Sequence, residues 1–260
     1  MSDLRGCADL RFAGDLGGLK PISAGYHTLD DLTRGLAHAV RLILSADPAL
    51  MEIILLTLRV SGLALALSTL VGVPVGAALG LARVRARGLI TALLYTGMGL
   101  PPVVVGLFVY LMLSRSGPLG VLGWLFTPSA MIAAQVIIAF PLVSGLTMTA
   151  VQSVDPALRL QVRSLGATRV QEVWAVLKEA RIGVVAAIVA AFGGVISEVG
   201  AVMLVGGNIE GKTRVLTTAI VLNTRTGEFS LALALGIILL ALAFLANVAM
   251  LRLQGMTNIE

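Results

Sequence analysis

The chain alternates five long apolar runs, at about 53–82, 89–113, 129–151, 182–205 and 229–251, with short charged or turn-rich connections. Each run reaches the roughly 20 residues that an α-helix needs to cross the hydrocarbon core of a bilayer. Lipid offers a backbone no hydrogen bonds, so the expected spanning element is a helix that pairs its own amides and carbonyls. Arg59, near the start of the first run, is expected to snorkel to the interface. Ahead of the runs, Leu36, Val40, Ile43 and Leu44 recur at helical spacing within 33–47, while Arg34, His38, Arg41 and Asp47 supply a polar face. Two readings stand for this stretch: an amphipathic helix lying in the interface plane before Pro48, or the first turn of a longer first helix. Residues 1–32 hold no apolar run of signal-peptide length and five glycines in the first 25 positions, which predicts a disordered tail. The expected architecture is an all-α polytopic membrane protein, its membrane domain covering 33–252, with about five transmembrane helices and an N-terminal interfacial helix.

Composition agrees with lipid as the solvent. Charged residues make up 13% of the 260, against roughly 25% in soluble domains, while 57% are apolar. The mean hydropathy of +0.96 leaves too few polar groups to cover a soluble surface. A single cysteine, Cys7, excludes an internal disulfide, and the two histidines, His27 and His38, lie too early for a Cys/His metal cluster. The same placement excludes a Ser/His hydrolase inside the membrane.

The net charge of +5 comes from basic residues scattered over connections, not clustered on one polar face, so no nucleic acid is expected as a partner. Their distribution reads as topology. Arg83, Arg85, Arg87, Arg159, Arg163, Arg169, Lys178, Arg181 and Arg252 fall on one side, whereas the opposite connections carry only Arg115, Lys212, Arg214 and Arg225. The positive-inside rule then puts the first set and the C-terminus in the cytoplasm, and five spans put the N-terminus outside. The five basic residues of the segment up to Arg41 run against that assignment.

The connection 152–181, QSVDPALRLQVRSLGATRVQEVWAVLKEAR, is neither apolar nor loop-like. Asp155 is placed to cap a helix beginning at Pro156. Leu158, Leu160, Val162 and Leu165 lead to a break at Gly166, and Val170, Val173, Trp174 and Leu177 follow in a second helical run. Such an arginine-bearing amphipathic pair is expected either to dock another protein or to lie on anionic lipid.

Gly206, Gly211, Lys212 and Thr213 match the nucleotide-binding pattern G-x-x-x-x-G-K-[ST]. A nucleotide site also needs a later acidic residue for magnesium, yet the last aspartate is Asp155 and only Glu228 and Glu260 follow the motif. The charge pattern further places the segment outside, and the spans leave no length for a nucleotide-binding domain. Two readings remain. Asn208, Lys212, Thr213, Arg214 and Thr217 supply donors and modest positive charge for a tetrahedral dianion at the outer mouth of a pathway, or for contact with a binding protein. Alternatively, the glycines simply make turns. Glu198, the sole carboxylate deep in the fourth run, is a functional candidate because charge is costly there, and is read as a structural partner or gate contact. Pro74, Pro101, Pro102 and Pro141 interrupt the first three runs, and Gly72, Gly76 and Gly80 mark one close-packing face.

The segments GLPPVVVGLFVYLMLSRSGPLG (99–120), FTPSAMIAAQVIIAFPL (126–142) and EVGAVMLVGGNIEGKTRVLTTAI (198–220) closely resemble the permease subunits of ABC importers for tungstate and, less closely, molybdate. The resemblance covers about 34–252. It extends to the cytoplasmic signature loop of such permeases, an acidic-alanine-alanine element followed after three residues by glycine. Gly166 stands at that glycine and Leu160, Gln161 and Val162 at the three signature positions, with the acid and both alanines missing. The usual Ile-x-Leu-Pro ending falls on Val176, Leu177, Lys178 and Glu179.

The resemblance implies a type I ABC importer permease fold and a homodimer. It implies two cytoplasmic ATPase subunits that use ATP and Mg, with no cofactor bound by this chain, and an extracytoplasmic tungstate- or molybdate-binding protein. It also implies ATPase coupling through Pro156, Leu160, Gln161, Val162, Arg163, Gly166 and Ala167. The alternative, an ion-coupled secondary transporter, predicts midplane charges and an inverted repeat. Only Glu198 is found, and no clear repeat.

Overall fold

A computed structural model of the chain describes residues 35–37, 40, 41, 45, 47–81 and 87–253. Helices follow in the order α1 (Pro48–Leu81), α2 (Arg87–Met98), α3 (Pro102–Leu113), α4 (Pro128–Gln152), α5 (Pro156–Ser164), α6 (Arg169–Glu179), α7 (Arg181–Ile196), α8 (Gly200–Gly206), α9 (Leu216–Arg225) and α10 (Phe229–Leu253). The tail expected over 1–32 and most of the stretch 33–47 lie outside the described residues, and of the latter 35–37, 40 and 41 are helical. Among the described residues three helices, Pro48–Leu81, Pro128–Gln152 and Phe229–Arg252, are long and apolar enough to cross a membrane, and there are up to five such spans if each of two bent helix pairs counts as one.

The Asp47 carboxylate accepts from the Leu50 amide at 3.0 Å and starts α1, with Pro48 where a missing N–H costs nothing. At 1.5 Å per residue this helix is about 50 Å long, so end turns remain for contacts beyond the hydrocarbon. Its Gly72, Gly76 and Gly80 lie against α4. A Cβ at Gly72 would stand 3.0 Å from Val143 Cγ1 and one at Gly80 2.7 Å from Val151 Cγ1, while one at Gly76 would strike the Ser144 carbonyl oxygen. Lipid tails are as apolar as these side chains, so close backbone approach and hydrogen bonding hold the helices together. α4 is central, packing on α1, α2, α3, α7 and α8.

Two of the expected spans are not continuous helices. The run 89–113 forms α2 and α3, bent by 97° at a short break. Pro101 restricts Leu100, Pro102 restricts Pro101, and Pro101 adopts φ −59° and ψ 122°, outside the helical region. The run 182–205 forms α7 and α8, separated by Ser197, Glu198 and Val199. The two breaks are neighbours: a Cβ at Gly200 would meet Val103 Cγ2 at 2.5 Å, and one at Gly106 would stand 2.6 Å from Ala201 Cα. α3 and α8 thus pack backbone to backbone, with Val105, Val109, Met131, Val202 and Val205 in one buried cluster around them.

Candidate functional site

The first candidate surface is the helix pair of 152–181. Asp155 Oδ1 accepts from the Ala157 amide at 2.8 Å and begins α5. The helix ends at Gly166, whose φ of +79° lies in the left-handed region that glycine enters without strain. Thr168 and Gln171 then form a reciprocal capping box at the start of α6. α6 meets α7 at Ala180 and bends away by 70°. Of the residues implied in coupling, Pro156, Leu160, Gln161, Arg163 and Gly166 are exposed, and Val162 and Ala167 are half-buried. Leu160 (66% exposed), Leu165 (87%), Val170 (68%) and Trp174 (70%) make this surface apolar despite its arginines.

Beneath it lies a group that sequence reasoning did not single out. Glu172 is 4% exposed. Its Oε1 accepts from Arg159 Nε at 2.9 Å and its Oε2 from Arg163 Nε at 2.8 Å, while Arg159 Nη2 also donates to the Leu81 carbonyl at 3.3 Å. The carboxylate therefore joins α5 to α6, and Arg159 joins both to the last residue of α1. The hydrogen bond from Arg163 holds the Glu172 carboxyl below the usual carboxylate range, against burial, which alone would raise it; Arg159 adds to the lowering. The same hydrogen bond raises Arg163. The available signal was that Glu172 is the one acidic residue between Asp155 and Glu179, in a stretch with Arg159, Arg163, Arg169 and Lys178.

The second candidate surface surrounds the break at 197–199. Glu198 Oε1 accepts from the Ala201 amide at 2.9 Å and so serves one of the free amides at the start of α8. Thr217 donates to the Glu198 carbonyl at 3.0 Å, and Gln135 Nε2 to the Val195 carbonyl at 3.2 Å. Thr57 of α1 accepts from the Leu216 amide at 3.0 Å, which begins α9. These side chains all serve main-chain groups at or beside helix ends, and the Val195 carbonyl also accepts from the Glu198 amide at 3.3 Å.

The 206–218 segment folds on itself. The Thr213 hydroxyl donates to the Gly206 carbonyl at 2.6 Å and accepts from the Ile209 amide at 2.9 Å. The amides of Lys212, Thr213 and Arg214 all point at the Ile209 carbonyl, at 3.2, 2.9 and 3.0 Å. Donors that would cradle phosphate in a nucleotide-binding loop are thus already used, and helix α8, not a strand, precedes them. Gly207, Asn208 and Gly211 take φ of +73°, +51° and +69°.

Among the residues expected to contact an anion or a binding protein, Thr213 and Thr217 are buried and engaged with the main chain. Lys212 is exposed and Asn208 half-buried. Arg214 pairs with Glu210 at 3.2 Å. A cavity of about 420 Å³ opens beside Lys212 and Arg214, between the start of α1, α9 and α10, and the carboxylates of Asp47, Glu52 and Glu210 also line it. Three carboxylates against two cations make it a poor anion trap, so the exposed loop suits a protein contact better than a binding well.

Residues 72–255 match the family described as "Binding-protein-dependent transport system inner membrane component". The tungstate uptake system permease protein TupB of Peptoclostridium acidaminophilum is 38% identical over 226 residues, 87% of this chain and 99% of that one. A probable anion ABC transporter permease of Haloferax volcanii is 45% identical over 213 residues, 80% of this chain and 92% of its own. The molybdenum transport system permease ModB of Escherichia coli is 30% identical over 205 residues, 75% of this chain and 89% of its own. In fold, the chain is similar to a bacterial ABC transporter that imports the acidic polysaccharide alginate, with a TM-score of 0.66 at 20% identity, covering 91% of each chain. With that match over most of its length, the chain belongs to the inner membrane components of binding-protein-dependent transport systems.

Proposed function

We propose that this chain is the membrane-spanning subunit of an ATP-driven importer that carries tungstate inward by alternating access. The observation that carries the reading is the 38% identity to a tungstate uptake permease over 99% of that protein's length. Molybdate is the second reading, favoured by the molybdenum permease among the relatives. Both are tetrahedral dianions of similar size, and the binding protein that delivers the anion does the selecting.

In this account two copies form the pathway, and each α5–α6 pair docks one cytoplasmic ATPase subunit, which holds the ATP and magnesium. Pro156, Leu160, Gln161, Val162, Arg163, Gly166 and Ala167 belong to that docking surface, whose exposed Leu165 and Trp174 fit the groove of a partner protein. The C-terminus lies in the cytoplasm and the N-terminus outside. The loop bearing Asn208, Lys212 and Arg214 meets the extracytoplasmic binding protein, and Glu198, Thr213 and Thr217 hold that loop and the break behind it in shape. The test is purification of the tagged permease from membranes. An ATPase subunit should accompany the wild type and be lost from a Leu165→Glu/Trp174→Glu double variant; wild type that purifies without an ATPase overturns the reading.

A further inference from the structure

The docking surface and the membrane helices must be mechanically connected if ATP hydrolysis in another subunit is to move them. α5 packs mainly on α6. Its main polar ties to the rest of the chain are Arg159 and Arg163, both on Glu172, with Arg159 also on the Leu81 carbonyl. A buried carboxylate bound on both oxygens by charge-assisted hydrogen bonds has one stable position. Arg159 can satisfy it and the end of α1 together only because a guanidinium presents several donors in a rigid fork.

α1 in turn is locked to α4 along Gly72, Gly76 and Gly80, where the backbones touch. The chain of contact therefore runs from α5 through Glu172 and Arg159 to α1, and from α1 to the central helix α4. The polar link meets α1 at the Leu81 carbonyl, 3.3 Å from Arg159 Nη2.

We infer that Glu172 and Arg159 are positioning residues for energy coupling, a polar pin that passes motion of the docking helix α5 to the cytoplasmic end of α1. The inference rests on the proposed function and concerns how that function is driven. The lysine substitution is diagnostic, because Arg159→Lys keeps a cation beside Glu172 while removing the fork that reaches Leu81. Glu172→Gln keeps shape and removes the charge.

The experiment uses the permease reconstituted in vesicles with its ATPase subunit and the binding protein, with tungstate as the probe anion. The readout is tungstate imported per ATP hydrolysed. Arg159→Lys and Glu172→Gln should assemble and hydrolyse ATP at close to the wild-type rate while this ratio falls by roughly tenfold, within the range of coupling effects from residues that touch neither ligand. If Glu172→Gln fails to assemble, Arg159→Lys alone carries the test. A wild-type ratio in Arg159→Lys overturns the pin, and so does an equal loss of uptake and hydrolysis, which marks a merely structural role. Wild type without ATP-dependent uptake overturns instead the proposed function.

Discussion

The Thr217 hydroxyl donates to the main-chain carbonyl of Glu198 across 3.0 Å, tying α9 to the break between α7 and α8. Thr217 is 5% exposed, so its removal leaves that carbonyl without its partner in a poorly hydrated place. Thr217→Val should lower stability by about 1–3 kcal/mol, read as a lower melting temperature of the purified protein in detergent. Thr217→Ser keeps the donor and should melt close to wild type.

Glu198 acts through its carboxylate oxygen at the Ala201 amide. Glu198→Gln offers an oxygen at the same place, whereas Glu198→Ala offers none. The alanine variant should lose about 1 kcal/mol, the cost of a lost helix cap, and the glutamine variant much less, in the same melting assay. Equal losses would mean that the charge itself matters.

Gly76 allows α1 and α4 to touch, since a Cβ there would strike the Ser144 carbonyl oxygen. Gly76→Ala should therefore force the helices apart at a cost of about 1–3 kcal/mol, seen as reduced yield of folded protein. Gly62, with open space around its Cβ position, should accept alanine with no such loss.

Lys212 is exposed and Arg214 pairs with Glu210. Replacing both cations by glutamine should reduce tungstate uptake in cells while leaving the melting temperature unchanged. Unchanged uptake would remove the loop from the transport path and from the binding-protein contact.

The Glu172 carboxyl is held below its ordinary range by the hydrogen bond from Arg163, with Arg159 adding to the shift. A depressed carboxyl stabilises the fold while ionised, so its contribution is fully present above the unfolded value of about 4.3 and is lost as pH falls through the lower folded value. Amide hydrogen exchange of α5 and α6 should then show no change attributable to Glu172 from about pH 5 to 8, followed by loosening in stronger acid. Glu172→Gln should lack that acid step.

Local signals made some of this legible in advance. Asp155, Pro156 and Gly166 write the start and stop of α5 in consecutive sequence, so the helix pair could be read directly. Pro101 and Pro102 announce an interruption, but the 97° bend needs α8 packed against α3 to define it. The break at 197–199 carries no proline, and main-chain groups in it and in the last turn of α7 are met by Thr217 and Gln135, which are 19 and 60 residues distant from the groups they serve. Thr213 and Thr217 present as donors toward an anion in sequence, where a hydroxyl that closes a loop and one that binds a ligand look alike. The Glu172 pairing is not legible in sequence, because its arginines lie 13 and 9 residues earlier on another helix.

ATP hydrolysed in a separate subunit is the proposed drive for transport. It is tested most directly by tungstate accumulation in vesicles holding the permease, with the ATPase subunit and binding protein added or withheld, and with ATP or an ion gradient as the energy source. Accumulation should require both partners and ATP together. Accumulation driven by a proton or sodium gradient through the permease alone would contradict the account.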